Sequence, residues 1–564
     1  MSTTTQAFLG RLLLEKKIVT EAQLDQALKE QPPTGERLGR VLVRLGYLPE
    51  AVLLTVLSEH LGLEIVDLRA REIPLEVLRH VPAKFALFYQ LIPIEQQNDV
   101  LTVCACHPED VYVRDALALI SPLRIRWVLA AGQDIQDAIR QYYGVGADTI
   151  DQIMGTAAPA NDIPASADIE EIDSEASIGK FINQILKEAH DKRATDIHIE
   201  PYGHEVRIRY RVDGVLLDTR VPTQLWHFKE SINSRIKIMA DLNIAEKRLP
   251  QDGRFKVKVN GADLDLRVSF LPTPFGQSAV IRLLNNSQLL SLPELGLAPD
   301  DLTTLRRILQ KPHGIVFVTG PTGSGKTTTL YSSLYELNRA ERKIITIEDP
   351  IEYQLKGITQ VQVQPSIGLS FANGLRSMLR HDPDIMMVGE VRDEETARIA
   401  VQIALTGHLV LSTLHTNDAA SGITRLLDMG IEPYLITSAV ECFVAQRLVR
   451  RVCPRCRQPV RADPGTVRKL SRKIGTADIP SVFEGKGCEF CNFTGYYGRE
   501  GIYEFLVLDP DIRALILERA SAGQIRARAM QQGMQTLVEN GWQKIKDGIT
   551  SPSEILRVSQ QETG

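Results

Sequence analysis

Gly320-Pro321-Thr322-Gly323-Ser324-Gly325-Lys326-Thr327 sits between an apolar run and a helical one, and its reading decides the fold. Upstream, Gly314-Ile315-Val316-Phe317-Val318-Thr319 is a short continuous apolar segment, which predicts a buried parallel strand. Downstream, Leu330, Leu334 and Leu337 recur at helical spacing. Strand, glycine loop and helix in that order are the context a P-loop requires. The glycines let backbone N–H groups turn inward around phosphate oxygens, where a Cβ would clash. The helix N-terminus adds partial positive charge. The motif puts the Lys326 ammonium on the β/γ-phosphates and the Thr327 hydroxyl on Mg²⁺, with Thr328 closing the nucleotide-binding run. A glycine-rich turn in an ordinary α/β domain is the plain alternative.

The chain's 564 residues suffice for several domains with substantial cores. Hydrophobic residues make up 43% and charged ones 24%, an ordinary globular balance, and the net charge of −5 argues against a dedicated nucleic-acid binder. No apolar run approaches the roughly 20 residues of a membrane-spanning helix, and no basic segment leads into an apolar core as in a secretory signal. Four of the seven cysteines fall in two Cys-x-x-Cys pairs, which fits metal in a reducing compartment better than disulfides. A cytoplasmic location is expected.

Residues 1–145 are expected to form an N-terminal regulatory or docking domain in two parts. Within 1–63, Leu9-Gly10-Arg11-Leu12-Leu13 recurs 29 positions later as Leu38-Gly39-Arg40-Val41-Leu42, and Leu24 and Leu28 recur as Leu53 and Leu57. Each copy reads as a helix, a turn near Ile18 or Tyr47, and a second helix. Residues 64–145 alternate strand-like pieces (Gln90–Pro93, Val100–Ala105, Arg124–Ala130) with helical ones, and Cys104 and Cys106 there read as core residues. Residues 146–177 hold eight acidic residues and no Lys or Arg, which predicts a flexible, solvated linker. A third domain, 178–290, opens with an amphipathic helix over Ile178–His190. Val206–Val212 then alternates strictly, turns at Asp213-Gly214 and returns through Leu217, and a second hairpin turns at Asn260-Gly261. Arg207, Arg209 and Arg211 share one face of a strand and repel one another unless carboxylates or phosphates lie opposite. That face reads either as solvated or as meeting a nucleotide or an acidic neighbour.

The P-loop domain is expected over 291–450, and its further strands end in polar residues. Ile344-Ile345-Thr346-Ile347 runs into Glu348-Asp349-Pro350-Ile351-Glu352, Ile385-Met386-Met387-Val388 into Gly389-Glu390, and His408–Thr413 into Leu414-His415-Thr416. In an open α/β sheet, loops at the carboxyl ends of strands line the ligand crevice. Carboxylates there can hold Mg²⁺ through water and orient an attacking water for in-line displacement. His415 is placed to report whether a γ-phosphate is present. Each group alone reads as a helix cap or a surface charge; successive strands all ending this way read as an active site.

These segments resemble a known family. Thr346–Glu352 is similar to its aspartate box, Val388–Asp393 to its second acidic motif, and Thr406-Gly407-His408 through Leu414-His415-Thr416 to its histidine box. The family is the secretion and type IV pilus ATPases, cytoplasmic hexamers that power pseudopilus or pilus assembly. The resemblance runs from about 178 to 560 and includes Asp196-Ile197-His198-Ile199-Glu200-Pro201 and Ala245–Arg254. It implies an α/β fold in which a RecA-like P-loop motor is preceded by an α+β, PAS-like domain and by the N-terminal helical-repeat and α/β domain. A zinc module and a helical subdomain follow. The resemblance also implies hydrolysis of ATP with Mg²⁺. Glu352 is then the first choice for polarising the attacking water, Glu348 the second, and Glu390 tunes the Mg²⁺ shell. Arg248, Arg254 and Arg267 are the candidates to reach a nucleotide from the preceding domain. Gln277 departs from an expected Glu without touching the catalytic set. The partners implied are further copies in a homo-hexamer, an inner-membrane platform protein and a membrane-anchored cytoplasmic protein, which together give peripheral attachment at the inner membrane. No nucleic acid is expected. The competing reading, a RecA-like nucleic-acid motor, needs a basic, aromatic-bearing channel that 6% aromatic residues and a negative net charge do not offer.

Cys453-Pro454-Arg455-Cys456 and Cys488-Glu489-Phe490-Cys491 have the four-thiolate pattern of a structural Zn²⁺ site, in a module expected over 451–500. The 31 residues between Cys456 and Cys488 exceed what a simple ribbon carries, so that loop must hold structure of its own. A redox pair or unrelated thiols are the alternatives. The spacing also resembles the tetracysteine insert of assembly-type family members. Arg447, Arg450, Arg451, Arg455 and Arg457 crowd its approach and read as a partner-facing or solvated surface, with acidic lipid or a cytoplasmic subunit as the partner. Residues 501–564 read as a closing helical subdomain. The N-terminal repeat resembles the tandem motif that binds cyclic di-GMP in some of these ATPases, and Gln31, Arg37 and Gly46 match it. Phe8, Lys17 and His60 stand where arginine, glycine and glutamine are expected. Docking to a membrane-anchored partner is therefore favoured over dinucleotide binding.

Overall fold

Two units, Met1–Leu283 and Leu284–Gly564, divide the chain, and each builds its own sheets. The computed structural model describes residues 10–559 apart from 35–37, 107, 109–110, 145–167, 285–289, 462, 464, 467 and 471–481.

In the first unit the repeat is visible in the backbone. Helices Glu21–Thr34, Leu38–Arg44 and Glu50–Leu61 enclose a small core of Leu13, Val41, Leu42, Leu53 and Leu57. Lys17 adopts the left-handed φ of 54° where its counterpart Gly46 has 74°, so the two turns match although only one is glycine. Phe8 and Arg37 lie outside the described residues. The following sheet of β1 (Leu91–Gln97), β2 (Val100–Ala105) and β3 (Arg124–Leu129) buries Cys104 and Cys106 in its core. The expected linker over 146–177 ends early. Residues 145–167 lie outside the described set, but a helix already runs from Asp168 to Asp191.

Six strands follow: β4 (Ala194–Tyr202), β5 (Glu205–Val212), β6 (Val215–Thr219), β7 (Gln251–Val259), β8 (Ala262–Thr273) and β9 (Gly276–Leu284). They lie in the order β6-β5-β4-β9-β8-β7. Ile197, Ile199, Ile208 and Tyr210 on one face share a core with Phe181, Ile185, Ile232 and Ile236 of helices Asp168–Asp191 and Lys229–Met239. The other face resolves the repulsion among the β5 arginines. Arg207 donates to both Asp218 oxygens on β6 at 2.9 and 2.8 Å, and Arg209 donates to Glu200 on β4 at 3.1 and 2.6 Å. Arg211 lies 3.6 Å from Asp196, which also receives Arg282 of β9 at 2.9 Å. The acidic neighbours are thus strands of the same sheet.

The second unit is organised by β10 (Gly314–Thr319), β11 (Ile344–Glu348), β12 (Thr359–Gln362), β13 (Ile385–Val388), β14 (Leu409–Leu414) and β15 (Val440–Val452). Then come a hairpin of β16 (Arg457–Val460) and β17 (Val482–Gly485), and β18 (Tyr496–Val507). The sheet order is β12-β11-β13-β14-β10-β15-β18, and all pairings are parallel except β15 with β18. β10, β11, β13 and β14 are buried at every residue, as strands covered on both faces must be. β10 lies between β14 and β15, both remote from it in sequence. This RecA-like order opens a crevice at the carboxyl end of β10, where the direction of winding reverses.

Two expected boundaries move. A division at 450 cuts β15 and one at 500 cuts β18, yet these strands pair from Cys442–Val507 to Val452–Tyr496. The cysteine module is therefore an insertion between two paired strands of the P-loop sheet, and β16–β17 is the structure its long loop contains. β15 is hard to see in the sequence because Gln446 and Arg447 interrupt its apolar run, and both are buried.

Candidate active site and metal centre

The octet of glycines, lysine and threonine joins β10 to the helix Lys326–Leu337. β15 presses against it from beside. A Cβ on Gly320 would come within 2.6 Å of the Gln446 carbonyl oxygen and of Ser324 Oγ, and one on Gly325 within 2.8 Å of Gln446 Nε2. Lys326 is buried and folds back on the loop, donating to the carbonyls of Gly320 at 2.8 Å and Pro321 at 3.1 Å. Burial lowers its pKa to about 8; Glu390 opposes that shift and Arg447 reinforces it. Among the described residues, Thr319 Oγ1 and Ser324 Oγ are buried without a hydrogen-bond partner. A cradle that excludes a Cβ, a buried cation and two unsatisfied hydroxyls fit a phosphate chain. Thr327 is exposed at the head of the helix, where a hydroxyl can reach Mg²⁺.

The acidic strand ends divide into two kinds. Glu348 is buried, and its oxygens accept from Thr346 Oγ1 at 2.6 Å, from Gln360 Nε2 at 3.0 Å and from Tyr331 Oη. Burial, with Glu348 alongside, pushes the Tyr331 hydroxyl up, so it stays a donor. Tyr331 Oη in turn receives the Glu352 N–H at 3.4 Å, which ties the Glu352 loop to the P-loop helix. Glu352 itself is half-buried. Glu390 lies 2.5 Å from Arg392 and 3.3 Å from His415 Nε2. Burial and the Lys326 charge lower the His415 pKa against the pull of Glu390, so the ring is neutral near pH 7.

Glu390 and His415 are therefore in contact within the influence of the Lys326 charge, and Glu348 and Glu352 share a second network through Tyr331. Arg248, Arg254 and Arg267 belong to the first unit. Arg254 donates to both Asp265 oxygens at 2.6 and 2.5 Å and faces Arg267 across the β7–β8 ladder, while Arg248 donates to Glu246 at 3.1 Å. Sequence reasoning missed Gln446 and Arg447. Gln446 accepts from Thr329 of the P-loop helix at 2.7 Å, and Arg447 donates to Asn417 beyond β14. A polar pair inside an apolar stretch was the available signal.

The expected arginine surface holds for Arg451, Arg455 and Arg457, which are exposed, but not for Arg447 and Arg450. Arg447 is buried beside the P-loop, Arg450 pairs with Glu554 at 2.7 Å and covers the Tyr496 ring, and Arg451 lies 3.4 Å from Glu500. Only Arg455, over Phe490 at 4.0 Å, and Arg457, over Phe483 at 4.8 Å, sit on the cysteine module itself. The strands' alternation sends neighbouring arginines to different partners.

In that module the four sulfurs lie within 4.8 Å of one another, with Cys453–Cys488 at 3.8 Å, Cys456–Cys491 at 3.9 Å and Cys488–Cys491 at 3.7 Å. Thiolates about 2.3 Å from a tetrahedral Zn²⁺ stand about 3.8 Å apart, so the cluster has the dimensions of the ion's shell. None of the four forms a disulfide, and they stand on two loops flanking the β16–β17 hairpin.

What the P-loop geometry can do is grip a nucleoside triphosphate by its phosphates and split the terminal anhydride, the work of RecA-like P-loop hydrolases. Comparison with known proteins narrows the class. The model of the type II/IV secretion system protein family matches residues 171–557, and that of the MshEN domain matches residues 61–149. The chain is 41% identical to the type IV pilus assembly ATPase PilB of Myxococcus xanthus (strain DK1622), over 97% of this chain and 98% of that one. It is 43% identical to the type II secretion system protein E of Xanthomonas campestris pv. campestris, over 97% of each. A solved structure of the pilus retraction motor PilT with bound ADP is 26% identical, covers 67% of this chain and 96% of its own, and superposes with a TM-score of 0.44. The chain belongs to the type II/IV secretion system protein family.

Proposed function

We propose that the chain is an ATP hydrolase that works as a homo-hexamer and powers assembly of a type II secretion pseudopilus or a type IV pilus. The observation that supports this most directly is a glycine cradle that encloses the Lys326 ammonium and two hydroxyls without partners among the described residues, with the Glu390–His415 pair within the influence of that charge. The P-loop amides and Lys326 take the phosphate charge, the ammonium exchanging two carbonyls for phosphate oxygens. Thr327 and Glu390 would hold Mg²⁺, which when bound lends its charge to the β- and γ-phosphates. Glu352 accepts the proton of the attacking water, from a loop that Tyr331 steadies. Glu348 holds that loop, because its oxygens are already engaged by buried donors. Neutral His415 follows the γ-phosphate through its contact with Glu390.

Glu352→Gln is accordingly expected to cut turnover by about 10²–10⁴-fold with nucleotide binding intact, the range of a lost general base. Glu348→Gln should instead lower thermal stability along with activity. Turnover lost in Glu348→Gln with wild-type melting, and kept in Glu352→Gln, would reverse the two assignments.

We assign Arg254 and Arg267, with Arg248, to the nucleotide of a neighbouring subunit; the repulsion of the β5 arginines no longer argues for this, since their own sheet neutralises them. Mixing Lys326→Ala with Arg254→Ala subunits should restore part of the activity each lacks alone. Failure to recover, with mixed oligomers confirmed by mass, removes Arg254 from a shared site.

Phosphate release from Mg-ATP that rises more than linearly with protein concentration tests the whole reading, and stimulation by DNA would favour a nucleic-acid motor. Residues 1–145 are assigned to docking on a membrane-anchored partner rather than to cyclic di-GMP, given Phe8 and His60. Location at the cytoplasmic side of the inner membrane follows from those partners; no described helix is long and apolar enough to cross a membrane.

A further inference from the structure

His415 stands on the connection from β14 to the helix Ala420–Asp428. That connection is gripped from two sides. On one, Arg447 of β15 donates to the Asn417 carbonyl at 3.0 Å and to Asn417 Oδ1 at 3.3 Å. On the other, Glu504 of β18 accepts the Ala419 N–H at 3.0 Å. Arg526, from the helix Ala522–Gln531, lies 3.7 Å from Glu504 Oε2 and 4.0 Å from Asp418 Oδ2. The grip on the histidine loop therefore comes from the hairpin that carries the metal module and from a C-terminal helix.

A helix cap alone does not account for this arrangement. Glu504 is fully buried, and its Oε2 has no hydrogen-bond partner among the described residues. Burial raises its pKa against the Ala419 and Leu537 N–H groups and the Arg526 charge, and a neutral hydroxyl or amide would serve such N–H groups without that desolvation cost. What a carboxylate adds is attraction to Arg526, which also lies near Asp418, the residue next to Asn417.

Resting on the reading of His415 as a nucleotide-facing group, we propose that Glu504 and Arg526 are positioning residues of the hydrolytic site. They hold the downstream end of the loop against the Arg447 clamp, so that His415 meets Glu390. Movement of the Ala522–Gln531 helix then reaches the nucleotide through Asp418 and Ala419.

Glu504→Gln keeps the shape and an acceptor for Ala419 but removes the attraction to Arg526. In the full-length oligomer its kcat should fall about 10-fold, with KM for ATP and the affinity for a fluorescent ATP analogue changed less than about twofold. Arg526→Ala, at a side chain that is 31% exposed, should give the same split without disturbing the core, and it carries the test if Glu504→Gln does not fold. The deciding comparison pairs each change with His415→Ala. Residues acting through His415 lose nothing further once it is gone, so the double variants should turn over no more slowly than His415→Ala alone. Losses that multiply would show merely structural roles and overturn the proposal, as would wild-type kcat in Arg526→Ala or in His415→Ala. No ATP turnover in the wild-type oligomer would instead defeat the ATPase reading itself, a separate outcome.

Discussion

Lys326→Ala is expected to lose about 10²–10³-fold in turnover, and more in kcat/KM, the scale of removing one preorganised charge from a developing anion. Among the described residues this ammonium donates to two loop carbonyls, and burial lowers its pKa to about 8. It is therefore a charge kept where the protein itself gains little from it. Phosphate oxygens supply what the carbonyls do not, and the ammonium is then fully charged. The loop's shape depends on other contacts, chiefly the approach of Gln446 to Gly320 and Gly325 and the bond from Thr329 to Gln446. Melting should consequently change by less than about 1 kcal/mol in stability terms. Arginine should not rescue the variant, because its planar fork is larger than the point charge this pocket encloses. Phosphate release near the wild-type rate in Lys326→Ala would remove the P-loop assignment.

Loss of the metal should have the largest effect on stability. Elemental analysis of the purified chain is expected to find one Zn²⁺ per protomer, and none in Cys453→Ser/Cys456→Ser. Structural zinc in small finger peptides is worth about 10–16 kcal/mol of apparent binding free energy, and here the ion would join loops that no disulfide connects. The consequence should extend beyond the module. Leu470 and Val482 belong to the same apolar core as Phe317 of β10 and Val410 of β14. Chelation or the double serine change should then lower the melting temperature of the second unit by several degrees, on the order of 2–4 °C for each kcal/mol lost. A metal-free chain that melts like the loaded one would show that the cysteines do not staple the fold.

The RecA-like sheet was legible because parallel strands covered on both faces are written as unbroken apolar runs. Ile344–Ile347, Ile385–Val388 and the strand before His415 need no partner to be recognised, and their polar ends announce the crevice. β15 and β18 were not legible, for the same physical reason inverted. Gln446, Arg447 and Glu504 are polar residues made tolerable inside by Thr329, Asn417, Ala419 and Arg526, which are remote in sequence. Period and composition carry no record of such pairings. The strict alternation of Arg207, Arg209 and Arg211 foretold a strand and a charged face, but not that Asp218, Glu200 and Asp196 would answer them. Glu348 and Glu352 looked alike as carboxylates at a strand end; the positions of Tyr331, Thr346 and Gln360, which engage the Glu348 oxygens, were not written in the sequence.

The framing of the cysteine module by β15 and β18 bears on how such chains diversify. Val452 and Tyr496, where the insertion leaves and rejoins the sheet, face each other across an antiparallel pair. Neighbouring strands lie about 5 Å apart, a gap that a tight turn closes. Forty-odd residues can therefore be gained or removed there by a single genetic event while every rung from Cys442–Val507 to Arg450–Arg499 stays in place. The hairpin works as a socket: one lineage can fit it with a cysteine-bearing head and another can leave it bare, with the P-loop sheet below inherited unchanged.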